Sequence, residues 1–185
     1  MSLARYVSAT APGGLALVQG LLNTRSTASG FPDLLDDEST AEAWLNQGLR
    51  EWGELAGSDP IDQTVSQRGL VELRELRARV RSYVQGERAG VHIDEPISVV
   101  SNEDGTLRTQ PTGSGIRWVE SAVWGAVLMA QDRDTLRRLK LCRNELCGSA
   151  FYDRSKNNSG VWHDVHVCGN AANLRASRAR RKREV

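Results

Sequence analysis

The sequence predicts an α+β protein: a mostly helical N-terminal domain with one small antiparallel hairpin, followed by a compact module that contains every cysteine. Three observations support this class: apolar residues at helical spacing in four segments, an Asp-Gly turn between two short extended runs, and three cysteines confined to residues 142–168. With 39% hydrophobic and 25% charged residues among 185, the composition is that of an ordinary globular protein. A wholly disordered or fibrous chain is therefore excluded.

Helical spacing of apolar residues predicts the main elements of the N-terminal part. The expected helices cover residues 14–23, 41–49 (with cap candidates in 37–40), 64–85 and 118–139. Extended runs at 93–100 and 106–109 flank an Asn-Glu-Asp-Gly turn, which favours a two-stranded hairpin. Leu136 and Leu139 are expected in the core, as are the scattered tryptophans.

Charge divides the chain into two parts, and we expect two domains, over residues 1–136 and 137–185. The second part holds twelve Lys or Arg against four Asp or Glu, a net charge of +8, whereas the first part carries −7. An acidic body joined to a basic tail is typical of a chain whose tail meets a polyanion or an acidic partner.

No segment of the sequence predicts a membrane span. The longest apolar stretch, residues 122–130, is about nine residues long, and roughly twenty are needed to cross a bilayer. The first residues lack the basic start and apolar stretch of a signal peptide. We therefore expect a cytoplasmic protein, in which clustered cysteines more often share a metal than form disulfides.

Two pairs of metal-ligand residues have matching spacing in the C-terminal module. Four residues separate Cys142 from Cys147, and four separate His163 from Cys168. Such pairs suit one tetrahedral, structural Zn²⁺ closed by four protein ligands, with no catalytic residue. The alternatives are His166 as fourth ligand, three free buried thiols, or a catalytic zinc with only three protein ligands.

The order of elements around these ligands resembles a treble-clef finger. Residues 151–153 and 161–163 are expected to form short strands joined by a turn at 156–160. A helix is expected from Ala171 onward, with Asn170 capping its start and Cys168 near its positive end.

At these residues the chain resembles the CGNR zinc-finger family of bacterial transcription regulators. The positions that match the family motifs are Cys142, Cys147, Phe151, Asp153, Ser155, Trp162, Cys168, Gly169 and Asn170. His163 stands where the family has its third cysteine, which zinc accepts. Ala171 replaces the family arginine, and Ser159-Gly160-Val161 stands where arginines are common, so both departures remove positive charge.

The N-terminal part resembles the stress-induced regulator (ABATE) domain that usually precedes this finger. The resemblance covers residues 15–24, ending in Asn-Thr, and the pairs Leu34-Leu35 and Trp44-Leu45. It implies that residues 1–136 form a sensor domain.

The basic C-terminus predicts a helix that contacts nucleic acid. The residues expected to touch DNA are Arg175, Arg178, Arg181 and Lys182. The leading hypothesis is a zinc-finger transcription regulator that binds DNA through this helix. The alternative is an accessory or biosynthetic protein, or an enzyme, that binds a small molecule in a helical-domain pocket while the finger is purely structural. We expect a non-enzymatic protein, and the sequence leaves open a homodimer and an adaptor role.

Overall fold

The computed structural model describes residues 9–26, 30–56, 61–89, 92–94 and 96–174. Its α-helices are α1 (Leu15–Leu22), α2 (Glu38–Ala56), α3 (Gln67–Gln85) and α4 (Ile116–Asp132). Its strands form two antiparallel pairs, β1 (Ile97–Ser101) with β2 (Leu107–Pro111) and β3 (Leu139–Leu141) with β4 (Ala150–Tyr152). The mixed α and β content expected from the sequence is confirmed.

Helix α1 lies at the centre of the fold. Every residue from Leu15 to Leu22 is buried, because α2, α3, α4 and β4 surround the helix. A helix that is apolar on all sides is stable only inside such a core. The one long polar side chain on it, Gln19, accepts a hydrogen bond from the amide of Ala11 at 2.6 Å.

Local capping sets the starts of α2 and α3. The Asp37 carboxylate accepts from the amide of Thr40 at 2.8 Å, as its cap position predicts. The Ser66 hydroxyl accepts from the amide of Gly69 at 3.2 Å, so α3 begins at Gln67, three residues later than periodicity suggests. Gly86 ends α3 with a φ of 103°, a left-handed conformation that glycine adopts without strain.

Helix α4 is shorter than predicted. It ends at Asp132, and the chain turns at Asp134, whose φ is 55°. The amide of Thr135 then donates to Ala130 O at 2.8 Å and closes the last turn. The helix predicted through residue 139 is therefore wrong beyond 132, although Leu136 and Leu139 are buried as expected.

The β1–β2 hairpin confirms the Asp-Gly prediction. Ser101 pairs with Leu107 at its closed end, and Gly105 in the connecting turn has a φ of 81°. The Asp104 carboxylate accepts from the amide of Thr106 at 2.9 Å, which fixes the turn. This hairpin packs against α4.

The second hairpin differs from the predicted one. Strand β4 pairs with β3, which precedes the first cysteine, with Leu141 opposite Ala150. Residues 161–163, which were expected to form its partner strand, do not form a β-strand. The turn residues at 156–160 favoured residues 161–163 as the partner, whereas burial of Leu139 and Ala150 against the helical core selects β3.

A single apolar core extends from α1 through β4. Four of the five tryptophans (Trp44, Trp52, Trp118 and Trp124) are buried in it, as expected. Leu136, Leu139 and Ala150 belong to this core, so residues on both sides of the predicted boundary at 136/137 share it. Among the described residues, no helix is both long enough and apolar enough to cross a membrane.

Candidate metal centre

The first pair of ligand residues lies in the loop of the β3–β4 hairpin. The amide of Cys142 donates to Ser149 O at 2.8 Å and continues the strand pairing by one step. Inside the loop, the amides of Cys147 and Gly148 both donate to Asn144 O, at 2.8 and 2.9 Å. These bonds form a tight turn that brings the two thiols to the same side.

The second pair lies just beyond, on a segment tied to this loop. The amide of Arg143 donates to Val161 O at 2.9 Å and places His163 beside the first pair. A π-helical turn, Val165–Gly169, carries Cys168 and continues as helix over residues 170–174; we call 165–174 the C-terminal helix.

The C-terminal helix begins earlier than predicted. The Asp164 carboxylate accepts from the amide of Val167 at 2.9 Å and caps its start. Asn170 has helical backbone angles and is not the N-cap, which corrects the expected start at residue 171. Cys168 nevertheless lies in the first turns of this helix, as predicted.

Four donor atoms converge at one point. The sulfurs of Cys142, Cys147 and Cys168 and a ring nitrogen of His163 all lie within 4.8 Å of one another. His163 Nδ1 is 3.2 Å from Cys147 Sγ and 3.5 Å from Cys168 Sγ. Cys142 and Cys168 are buried, and Cys147 is half-buried.

This arrangement fits one Zn²⁺. With Zn–S near 2.3 Å and Zn–N near 2.05 Å, a tetrahedral site has S···N separations of about 3.5 Å and S···S separations of about 3.8 Å. The distances between His163 Nδ1 and the two sulfurs agree with these values. Four protein donors also leave no open position for a water, so the geometry is that of a structural ion.

Residues 138–181 match the CGNR zinc finger family. The finger holds Cys142, Cys147, His163 and Cys168 in position to bind one zinc ion. No curated protein is significantly similar to the chain.

The three thiols of the CGNR finger lie so close together that they cannot all lose their protons unless a cation is beside them. The pKa of Cys147 is lowered to about 4, chiefly by a hydrogen bond from Cys142 and also by Ser149, whose Oγ is 2.9 Å from the sulfur, while burial opposes the shift. The same bond to Cys147 raises the pKa of Cys142, and burial adds to the rise. Three adjacent sulfurs can all ionise only beside a positive charge, which zinc supplies.

Two polar residues of the finger support its sulfurs and were not predicted from the sequence. Ser149 contacts Cys147, and the buried Asn144 side chain makes a hydrogen bond that lowers the pKa of Cys168, although burial raises it more. Donors to sulfur stabilise the thiolate form that binds zinc. Only the position of Asn144 between the cysteines could have suggested its role.

Asp153 organises the loop between the two ligand pairs. Its carboxylate, 4% exposed, accepts from Lys140 Nζ at 2.7 Å, from the amide of Ser155 at 2.9 Å and from the amide of Gly160 at 2.7 Å. Burial works against ionisation, but these donors hold the pKa of Asp153 well below its usual range. The Asp and Ser of the family motif thus shape a loop.

Glycine is required where the finger packs most closely. A Cβ on Gly160 would lie 2.9 Å from the Asp153 carboxylate. A Cβ on Gly169 would lie 3.3 Å from the ring of Trp162, so the ring would have to shift by a few tenths of an ångström.

The rival ligand predicted from the sequence does not join the cluster. His166, the rival ligand, is exposed and is not among the four converging residues. The residues expected to touch DNA, Arg175, Arg178, Arg181 and Lys182, lie outside the described residues.

Proposed function

We propose that this protein is a zinc-finger transcription regulator that binds DNA through its basic C-terminal segment. The observation that carries the proposal is the position of Cys168 inside the C-terminal helix. One coordination bond there attaches the helix to the cysteine loop, and the chain then runs directly into six Arg or Lys residues within 175–183. A metal-anchored helix fixes the point from which the basic segment continues, which a tail without such an anchor lacks.

The charge around the finger supports the same proposal. Arg143, Arg154 and Lys156 are exposed on its loops against one exposed acid, Glu145, so the described part of the finger also presents more positive than negative charge. Lys140 is not part of this set, because Asp153 holds its ammonium group. Exposed cations on a fixed scaffold suit contacts to the phosphate backbone, which supply most of the non-specific affinity for DNA.

In this proposal residues 1–136 are the sensor part of an ABATE-like regulator. The packing of β3 and β4 against α1 and α3 supports it, because the finger rests directly on the helical body. In this proposal, a conformational change in the helical body reaches the metal centre through this contact.

The test is a fluorescence-anisotropy titration of the zinc-loaded full chain with duplex DNA between 50 and 200 mM salt, the range over which phosphate contacts lose affinity. We expect the logarithm of the affinity to fall with the logarithm of salt by about 0.9 per neutralised phosphate. A variant with Arg175, Arg178, Arg181 and Lys182 changed to Gln should bind DNA at least about tenfold more weakly. The slope of log affinity against log salt should become shallower by up to about 3.6, which is about 0.9 for each lost phosphate contact.

The matched control changes four arginines of the body to Gln, namely Arg50, Arg68, Arg79 and Arg88. It removes the same charge and should retain the affinity within about twofold. Equal losses in the two variants, or affinity unaffected by salt, would contradict the proposal.

The second candidate is a small-molecule-binding accessory protein or enzyme in which the finger is purely structural. A cavity between α4 and the β1–β2 hairpin favours it. Binding of a metabolite with chemical turnover, and no salt-sensitive binding to DNA, would replace the first proposal by this one. A stable partner co-purifying without DNA binding would instead indicate an adaptor, and the oligomeric state would show whether the chain is a homodimer.

A further inference from the structure

A cavity of about 270 Å³ lies in the helical body, away from the metal centre. Small residues of α4, chiefly Gly125 and Ala126, form its floor, and Ile97 and Thr109 of the β1–β2 hairpin form one wall. The start of α1 closes one end, where a Cβ on Gly14 would lie 2.8 Å from the Cβ of Ala126. The volume is near the lower end of ligand pockets, roughly 300 Å³, so it suits a molecule the size of a single substituted ring.

One end of this cavity contains a buried hydrogen-bond donor without a partner. Trp52 is 5% exposed, and its Nε1 is buried without a hydrogen-bond partner among the described residues. This atom would be 3.3 Å from a Cβ on Gly14, another lining residue, so it lies in the wall of the cavity. Because an unsatisfied buried N–H is costly, an acceptor atom bound here would remove the cost.

Arg108 supplies a second unsatisfied donor to the same cavity. Its Nε donates to Asn102 Oδ1 at 2.9 Å, which holds the guanidinium, while its Nη1 is buried without a partner. Arg133 also lines the cavity, and none of the lining residues is acidic. The local charge is therefore positive, and it favours an anion over a neutral or cationic molecule.

We propose that this cavity binds a small organic acid with a planar or apolar body. Its carboxylate would accept from Arg108 Nη1 and from Trp52 Nε1, and its apolar part would lie against Ile97, Gly125 and Ala126. This site is independent of DNA binding, since neither its residues nor its test involves the finger.

Three probes of equal size and different charge test the proposal on the zinc-loaded full chain: benzoate, benzamide and benzamidine. By titration calorimetry, we expect benzoate to bind one-to-one and at least about tenfold more tightly than benzamide. Benzamidine should show no saturable binding. Benzoate that binds no better than benzamidine, or more weakly than about 10 mM, would overturn the proposal.

Matched variants locate the binding. Arg108→Gln should weaken benzoate binding at least about tenfold, whereas Arg68→Gln, which removes an exposed arginine of α3, should leave it unchanged. Trp52→Phe should also weaken benzoate binding. Trp124→Phe is its control: Trp124 Nε1 is likewise buried without a hydrogen-bond partner among the described residues, but Trp124 does not line the cavity, so this variant should bind benzoate as the parent does.

Thermal unfolding of each variant confirms that it is folded at the titration temperature. Equal affinity in Arg108→Gln and the parent would show that benzoate binds elsewhere and would end the proposal.

Discussion

Asn23, at the end of α1, binds the backbone of Ala150 in β4 through both ends of its side chain. Its Oδ1 accepts from the amide of Ala150 at 2.7 Å, and its Nδ2 donates to the carbonyl at 3.0 Å. Both residues are buried, and they are 127 positions apart in the chain. Ala150 is eight residues beyond the first cysteine, so this pair attaches the strand beside the metal centre to the central helix.

Replacing Asn23 should weaken the attachment of the finger to the body. Asn23→Ala leaves the amide and carbonyl of Ala150 buried without this partner, and we expect the free energy of unfolding to fall by about 2–3 kcal/mol. Denaturant unfolding measures the loss, and hydrogen exchange at the Ala150 amide should accelerate. Asn157→Ala, in an exposed loop of the finger, should change stability by less than about 0.5 kcal/mol; a similar loss there would contradict the assignment.

Each of the four converging residues should be required for stable zinc binding. Cys142→Ser, Cys147→Ser, His163→Ala and Cys168→Ser should each lower the zinc content well below one ion per chain, because three donors leave the site open. Elemental analysis after gel filtration gives the stoichiometry. His166→Ala is the control and should retain one ion, since His166 is exposed and outside the cluster.

Loss of zinc should unfold the finger loops and leave the helical body folded. Leu139 and Ala150 pack in the same core as α1 to α4, so the β3–β4 pair has contacts that do not depend on the metal. Circular dichroism of the zinc-free protein should therefore retain most of its helical signal. Complete loss of helix on chelation would show that the body depends on the ion.

The partly buried ion pair between Arg77 and Asp33 should make stability depend on pH. Burial alone would raise the pKa of Asp33, but hydrogen bonds from Arg77, at 2.7 and 2.8 Å, and from the Leu35 amide hold it below its ordinary value of 3.8. A folded-state pKa below the unfolded one contributes stability above about pH 4, and the contribution is lost as the pH falls through the folded-state value.

Unfolding measured between neutral pH and pH 3 tests this dependence. Asp33→Asn should flatten the acid limb of the stability profile and lower stability at neutral pH. Asp62→Asn breaks the exposed pair with Arg50 and should leave the profile nearly unchanged, because exposed ion pairs contribute little. Identical profiles in the parent and Asp33→Asn would refute the role of Asp33.

Adding a methyl group at Gly160 should displace the Asp153 carboxylate. The Cβ would lie 2.9 Å from Asp153 Oδ1, and Lys140 and two amides prevent that carboxylate from moving away. We expect Gly160→Ala to destabilise the protein by about 1–3 kcal/mol and to weaken zinc retention against a chelator. Gly125→Ala, where a Cβ makes only ordinary contacts inside α4, should be neutral or stabilising by up to about 1 kcal/mol.

The sequence by itself determined the elements whose signals are local. The apolar stripe of α3, Asp37 as a cap candidate for α2 and Asp104-Gly105 between extended runs each act within a few residues, so helices α2 and α3 and the first hairpin follow from them. The metal centre was also predictable, because ligand chemistry restricts the residue types and their spacing. The four donors identified by spacing are the four that converge.

Only the tertiary structure decided which segments pair and what supports the site. Strand β4 pairs with β3 because Leu139 and Ala150 are buried by helices that lie far away in sequence, and no local pattern reports that burial. The contacts of Asn23 with Ala150, and of Arg108 and Trp52 with one cavity, likewise join distant parts of the chain. Local geometry is encoded in neighbouring residues, whereas packing depends on which surfaces the whole chain can bury together.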